Sequence, residues 1–243
     1  MKKYLILTYG VLAYISALIF QFWFILYLTD FDFIFNINNP QTSSTIYAVS
    51  IDILLVLLFG LQHSLMARDW FKDIIKRYIP QVIERSTYVF FSGIGLFLIV
   101  YFWQNIDGYI WKIDSGFGFY LLSFLFVFGW LFSTFATFII NHFELFGLQQ
   151  VYHNFKDVDT KDISFTKKML YKYIRHPIQL GIIMGLWFSP TMCYGHFLLS
   201  FSMTIYIFVG LHYEEKNLMD KLGDEYRKYK KDVGMVLPLI KNY

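Results

Sequence analysis

The residues able to do chemistry in this chain stand where apolar runs begin and end. Arg175-His176-Pro177 opens one such run, and His212-Tyr213-Glu214-Glu215 closes it. Pro177 suits the first turn of a helix, where its missing N–H is no loss. Arg175 and His176 then fall at a positive helix N-terminus, a place suited to anionic groups; a surface anchor with flanking tyrosines is the competing role. Folding the run back on itself brings this basic pair to the acidic pair, where a carboxylate can meet an ammonium or ribose hydroxyls and Arg or His can engage a carboxylate. A plain salt bridge between helices is the bland alternative. Two further histidines sit at helix ends. His63 follows Gln62, and His142 lies in Asn141-His142-Phe143-Glu144, ahead of Gly147. Each is a base suited to neutral pH, or else part of an ordinary polar boundary. His142 and Glu144 are two positions apart and do not share a helical face. Asp52, within an apolar run, reads as structural: a cap or a polar pair.

The elements that must position these groups are membrane spans. Of 243 residues, 56% are hydrophobic and only 16% charged, against about a quarter charged in soluble domains. Lipid must therefore be the solvent. A span takes about 20 apolar residues, and the runs near 5–28, 46–66, 87–104 and 117–140 qualify. The region 178–212 is too long for one straight helix and is broken at Ser189-Pro190-Thr191, where proline removes a donor and restricts the residue before it. It reads as a hairpin, with helices near 178–188 and 193–212. The fold class expected is all-α: four spans, a C-terminal helical hairpin and an amphipathic tail, forming a single membrane-embedded domain over 1–243.

Charge supports this topology. The connections near 67–85 and 141–177, the N-terminus and the tail hold every Lys and Arg except Lys112, whereas Asp30, Asp32, Asp107 and Asp114 lie in the alternate loops. The positive-inside rule makes both termini cytoplasmic. In the tail, Tyr226 and Tyr229 share one helical face and could close over a nucleoside, while its many lysines suit anionic headgroups.

Several classes are excluded. The chain has no GxGxxG after a strand and no GxxxxGK[ST], so no conventional nucleotide-binding domain is hidden in it. Its six histidines lack HExxH spacing and Cys193 is the single cysteine, so neither a metal site nor an intramolecular disulfide is expected. The positive charge follows the membrane boundary, which argues against nucleic acid as a partner.

Taken together, Arg175-His176-Pro177, Gly181, Glu214-Glu215, Leu218, Gly223, Tyr226, Tyr229 and Pro238 resemble the isoprenylcysteine carboxyl methyltransferase-like superfamily. Upstream, Gln62-His63-Ser64-Leu65-Met66-Ala67-Arg68, Glu84-Arg85-Ser86-Thr87-Tyr88-Val89, Asn141 to Leu148, Ser189-Pro190-Thr191-Met192 and Gly195-His196 resemble one branch of it, the methanethiol S-methyltransferases. Two positions depart from the pattern: Gln179 stands where tyrosine is common, and Gln149 where a basic residue is frequent.

The resemblance implies methyl transfer from S-adenosylmethionine (SAM) to a small hydrophobic thiol, from a multi-pass protein of the bacterial inner membrane. Residues 141–243 would form the cofactor-binding and catalytic region. Arg175, His176, Glu214 and Tyr226 would bind the cofactor, with Glu215 acting beside them; His142 and His63 are the candidates for deprotonating the thiol. Other readings remain open at this point. They are a methyltransferase for isoprenylcysteine or lipid, a nicotinamide-dependent reductase of a related membrane fold, and a non-enzymatic protein of nitrogen-oxide respiration in which His63 and His142 would ligate haem.

Overall fold

The computed structural model describes residues 1–31, 35–159 and 167–238; Asp32, Lys161 and Lys241 lie outside them. The described residues form α1 (Lys2–Tyr27), α2 (Thr45–Ala67), α3 (Asp69–Ile75), α4 (Glu84–Phe102), α5 (Gly116–Ile140), α6 (His142–Leu145), α7 (Leu148–Lys156), α8 (Pro177–Trp187), α9 (Tyr194–Leu222) and α10 (Asp224–Asp232). Two short strands, β1 (Tyr109–Lys112) and β2 (Thr191–Cys193), pair with each other. Helices α1, α2, α4, α5 and α9 are long and apolar enough to cross a membrane, and α8 is a shorter apolar helix. The protein is thus an all-α polytopic membrane protein, with the expected four spans and hairpin. Its exposed Leu, Ile and Phe side chains on these helices are what lipid contact demands, since a soluble protein rarely leaves large apolar patches bare.

The chain divides into two compact units. The first comprises the described residues of Met1–Tyr109, Asn141–Ile163 and Cys193–His196. Within it α4 packs against both α1 and α2, and α7 packs against α1. The α1–α4 crossing is close: a Cβ on Gly93 would lie 2.9 Å from the Ala17 Cα. Asp52 is fully buried and accepts a hydrogen bond from the Gln104 backbone N–H at 2.8 Å. That bond satisfies an amide just past the end of α4, so the structural role expected for Asp52 holds.

The second unit comprises the described residues of Ile110–Ile140, Ser164–Met192 and Phe197–Tyr243. Its backbone is the crossing of α5 with α8. Small residues allow it, as is common where membrane helices meet. A Cβ on Gly181 would lie 2.5 Å from the Gly129 carbonyl oxygen and 2.6 Å from the Ser133 nitrogen. Helix α8 begins at Pro177 and ends at Trp187, and the Pro190 turn returns the chain into α9. At that turn Trp111 Nε1 donates to the Ser189 carbonyl and Ile113 N to the Pro190 carbonyl. Helix α9 continues past the apolar run, through the polar segment to Leu222. The loss of hydropathy near 212 marks a change of environment and not the end of the helix.

Candidate active site

The second unit holds a buried ionic cluster built on α8, α9 and α10. Glu215 is 1% exposed, Arg175 3% and His176 5%. Arg175 Nε donates to Glu215 Oε1 at 2.6 Å, and His176 Nε2 lies 3.2 Å from the same oxygen. Lys230 Nζ stands 3.0 Å from Glu215 Oε2. One carboxylate thus faces three basic side chains, an arrangement that compensates the cost of burying charge.

Arg175 also does something the sequence does not advertise. Its Nη1 donates to the carbonyls of Lys230 and Val233, the oxygens that α10 leaves without helical partners at its C-terminus. A cation there also complements the helix dipole. The backbone reinforces this docking: Arg175 N donates to the Gly234 carbonyl and His176 N to the Met235 carbonyl. Glycine is needed where the chain turns from α9 into α10, because Gly223 has φ +58°. Helix α10 then carries Asp224 and Glu225 in its first turn and Lys230 and Lys231 in its last, each sign at its favourable end.

Tyr226 and Tyr229, both on the buried face of α10, pack with Val233 against Leu218, Met219 and Leu222 of α9. The Tyr229 hydroxyl donates to the Tyr171 carbonyl at 2.5 Å. Burial pushes the Tyr229 phenol up to about 12, so it remains a donor at neutral pH. Burial also raises Tyr226 and Tyr171, with the charge of Glu215 adding to the first and that of Glu214 to both. Glu214 itself is exposed on α9. Among the described residues, Arg175 Nη2 and the Tyr171 hydroxyl are buried without a hydrogen-bond partner. Buried donors are rarely left so, and these are groups a polar ligand would satisfy.

The two histidines named as bases lie in the first unit. His142 opens α6, is 5% exposed, and places Nε2 2.9 Å from the Tyr14 hydroxyl while its ring stacks on Phe146. Burial lowers its pKa, which keeps the ring neutral at pH 7. Asn141 caps α6 by accepting from the Glu144 backbone N–H, and its Nδ2 donates to Glu144 Oε2 and Gln149 Oε1. Gln149, the departure noted in the sequence, thus shares the Asn141 amide with the Glu144 carboxylate. A hollow of about 630 Å³ opens beside it, with Leu7, Val11, Phe143 and Leu148 in its lining. His63, on α2, lies between Ser92 and Tyr88 of α4: Nδ1 is 2.9 Å from Ser92 Oγ, and Nε2 is 2.7 Å from the Tyr88 hydroxyl.

The turn from α6 into α7 depends on Gly147, whose φ is +83° and whose added Cβ would lie 2.6 Å from the Ser86 nitrogen. Replacing Gly147 with alanine is expected to cost about 1 kcal/mol from backbone strain alone, and more from the contact. Thermal unfolding in detergent, compared with Gly210→Ala at a site where a Cβ meets nothing within 4 Å, checks this.

The structure therefore gathers Arg175, His176, Glu215 and Tyr226 in one unit, leaves Glu214 exposed on the same helix, and sets His63 and His142 in the other. Sequence reasoning missed Lys230, although Tyr226 and Lys230 are four apart and so share a face of α10. It also missed Tyr14 and Ser92, whose hydroxyls give no sign in the sequence of facing a histidine.

Fold and cluster together define a polytopic membrane protein with an ionic site assembled from its C-terminal helices. No protein-family model matches the chain, and no solved structure matches it. Curated relatives do. Methanethiol S-methyltransferase 1 of Bradyrhizobium diazoefficiens is 41% identical, covering 97% of this chain and 83% of the relative. Methanethiol S-methyltransferase of Mycobacterium tuberculosis is 38% identical over 98% of each chain, and that of Crocosphaera subtropica 35% identical over 99% and 94%. The chain belongs to the methanethiol S-methyltransferase family, an enzyme family, as the motifs around His63, His142 and Arg175 anticipate.

Proposed function

We propose that this protein methylates methanethiol with SAM, releasing dimethyl sulfide and S-adenosylhomocysteine at the cytoplasmic boundary of a bacterial inner membrane, with both termini cytoplasmic. Near full-length kinship with enzymes of that name carries the reading. The charge distribution supports the orientation, and a small hydrophobic thiol reaches such a boundary through the bilayer.

The residues of the second unit fit the methyl donor. Arg175 Nη2 and the Tyr171 hydroxyl are buried donors in want of an acceptor, which the donor's carboxylate supplies. Exposed Glu214 is available to its ammonium or ribose hydroxyls, and Tyr226 offers an aromatic wall. Glu215 keeps Arg175 and His176 in place and ties the tail helix to them. Bound SAM supplies an electrophilic methyl group on a sulfonium. The protein's part is to hold donor and thiol in line with little water between them and to remove the thiol proton. His142 and His63 are the bases proposed for that step, and residues 141–243 are the region proposed to carry cofactor binding and catalysis.

The test is SAM-dependent formation of dimethyl sulfide from methanethiol by purified protein, read by headspace gas chromatography, with His176→Ala as control. Product that needs both SAM and His176 is the expected result. SAM binding without product would redirect the search to lipid or isoprenylcysteine acceptors. Neither binding nor product would end the methyltransferase reading.

A further inference from the structure

We infer that residues 69–79, in the connection between α2 and α4, form an in-plane membrane anchor whose flanking cations hold anionic phospholipid headgroups. The sequence carries half of the case. Placed on a helix at about 100° per residue, the apolar and aromatic side chains Trp70, Phe71, Ile74, Ile75, Tyr78 and Ile79 fill one half of the circumference. The charged ones, Asp69, Lys72, Asp73, Lys76 and Arg77, fill the other. The signs are sorted as well. Lys72 borders the apolar half on one side and Arg77 on the other, while Asp69 and Asp73 stand in the middle of the charged half. Lysine and arginine lay their methylene stems along apolar surface and keep the charge in water. Cations at those borders therefore reach phosphates beside the segment, and the carboxylates, turned away from the apolar half, are kept clear of them.

The structure carries the other half. Arg68 is extended, with φ −76° and ψ 139°, and stands between the last residue of α2 and the first of α3, so the chain changes direction as it leaves the span. Past Ile75 the helical bonding goes on: Lys76 N donates to the Lys72 carbonyl, and Tyr78 N and Ile79 N to that of Ile75. Helix α3 packs against α2, yet none of its residues is buried. Phe71, Ile75 and Ile79 are half-buried, whereas Trp70 is 55% exposed, Ile74 43% and Tyr78 82%. The apolar half thus has one strip turned to the protein and one left bare. A segment this short is marginal as a helix in water, and it buries no residue of α3 in the protein to make up the difference. At the end of a membrane span, a bare strip of Trp, Ile and Tyr is covered by the bilayer surface itself. From Arg68 to Arg77 four cations stand against two carboxylates, the balance that attracts anionic lipid.

The test uses the full-length protein in nanodiscs of phosphatidylcholine, alone or mixed with phosphatidylglycerol. Cys193 is buried, so Ile74→Cys and Asp73→Cys each present one reactive thiol for a nitroxide. The nitroxide at position 74 should collide more with oxygen than with a water-soluble nickel chelate, and the one at position 73 the reverse. A fluorophore at position 74 should be quenched more by brominated phosphatidylglycerol than by brominated phosphatidylcholine at the same lipid fraction. Lys72→Gln and Arg77→Gln should each lower that preference by up to roughly fivefold, and raised salt should lower it too. A label at position 74 that meets the chelate more than oxygen, or is shielded from both as a protein partner would shield it, overturns the anchor. Equal quenching by the two lipids, or a preference unchanged when Lys72→Gln and Arg77→Gln are combined, overturns the anionic headgroups. The anchor does not depend on methyl transfer: a protein that makes no dimethyl sulfide should give the same results.

Discussion

Replacing Glu215 with alanine lowers the stability of the second unit by about 3–5 kcal/mol and releases α10 from α8 and α9. Glu215 is the acceptor for Arg175 and His176 and the counter-charge for Lys230. Without it a guanidinium that is 3% exposed is left with no neutralising partner, and removing one member of a buried pair costs far more than the pair is worth net. Arg175 would leave its site, and the Lys230 and Val233 carbonyls it serves would lose their donor. Thermal unfolding in detergent reads the loss, and limited proteolysis after Gly223 reads the release of α10. Glu215→Gln, which keeps an acceptor without the charge, should fall between. The exposed pair Lys167–Glu225, at 2.7 Å, provides the contrast: its removal should cost at most about 1 kcal/mol and be masked by salt. An alanine variant at Glu215 as stable and as protease-resistant as the wild type would mean that the cluster does not hold the tail.

The second large effect is steric. Gly181→Leu is expected to cost about 3 kcal/mol, the upper part of the range for overpacking. The reason is what the new side chain meets. Its Cβ alone would sit 2.5 Å from the Gly129 carbonyl and 2.7 Å from the Ser133 Cβ, and backbone cannot step aside as a flexible side chain can. The helices α5 and α8 would have to separate, and with α8 would move His176 at its N-terminus. The expected signature is therefore a fall in melting temperature together with weakened SAM binding. Gly210→Ala on α9, facing open space, should be neutral or slightly stabilising by improved helix propensity. If Gly181→Leu melts like Gly210→Ala, the close crossing is wrong.

Much of the architecture was legible in the sequence because lipid imposes simple rules. Apolar length located α1, α2, α4 and α5 to within about a turn, and Pro190 marked the hairpin. The end of α9 was not legible, since the apolar run stops where the membrane does while the helix goes on to Leu222. The site was legible in part. Arg175, His176 and Glu215 do converge, because opposite charges at the two ends of a hairpin have few other ways to be satisfied. What Arg175 reaches beyond Glu215 was hidden: the carbonyls of Lys230 and Val233 belong to every peptide unit and leave no trace in residue identity. The partners of the histidines were hidden for a related reason. Tyr14, Ser92 and Tyr88 are ordinary polar residues on apolar helices, and which of them faces His142 or His63 depends on helix rotation, which a nearly uniform apolar sequence does not encode.

The dependence of α10 on Arg175 has a consequence for biosynthesis. Nine residues with a predominantly charged surface do not hold a helix in water by themselves, where about 12–15 are needed even for favourable sequences. This segment leaves the ribosome after α8 and α9, so its helix forms as it docks on Arg175, whose guanidinium serves the Lys230 and Val233 carbonyls. The hairpin is inserted first and sealed afterwards. A chain truncated before Lys230 would keep the Arg175–Glu215 pair but lose both the second cation on that carboxylate and the carbonyls that hold the Arg175 guanidinium.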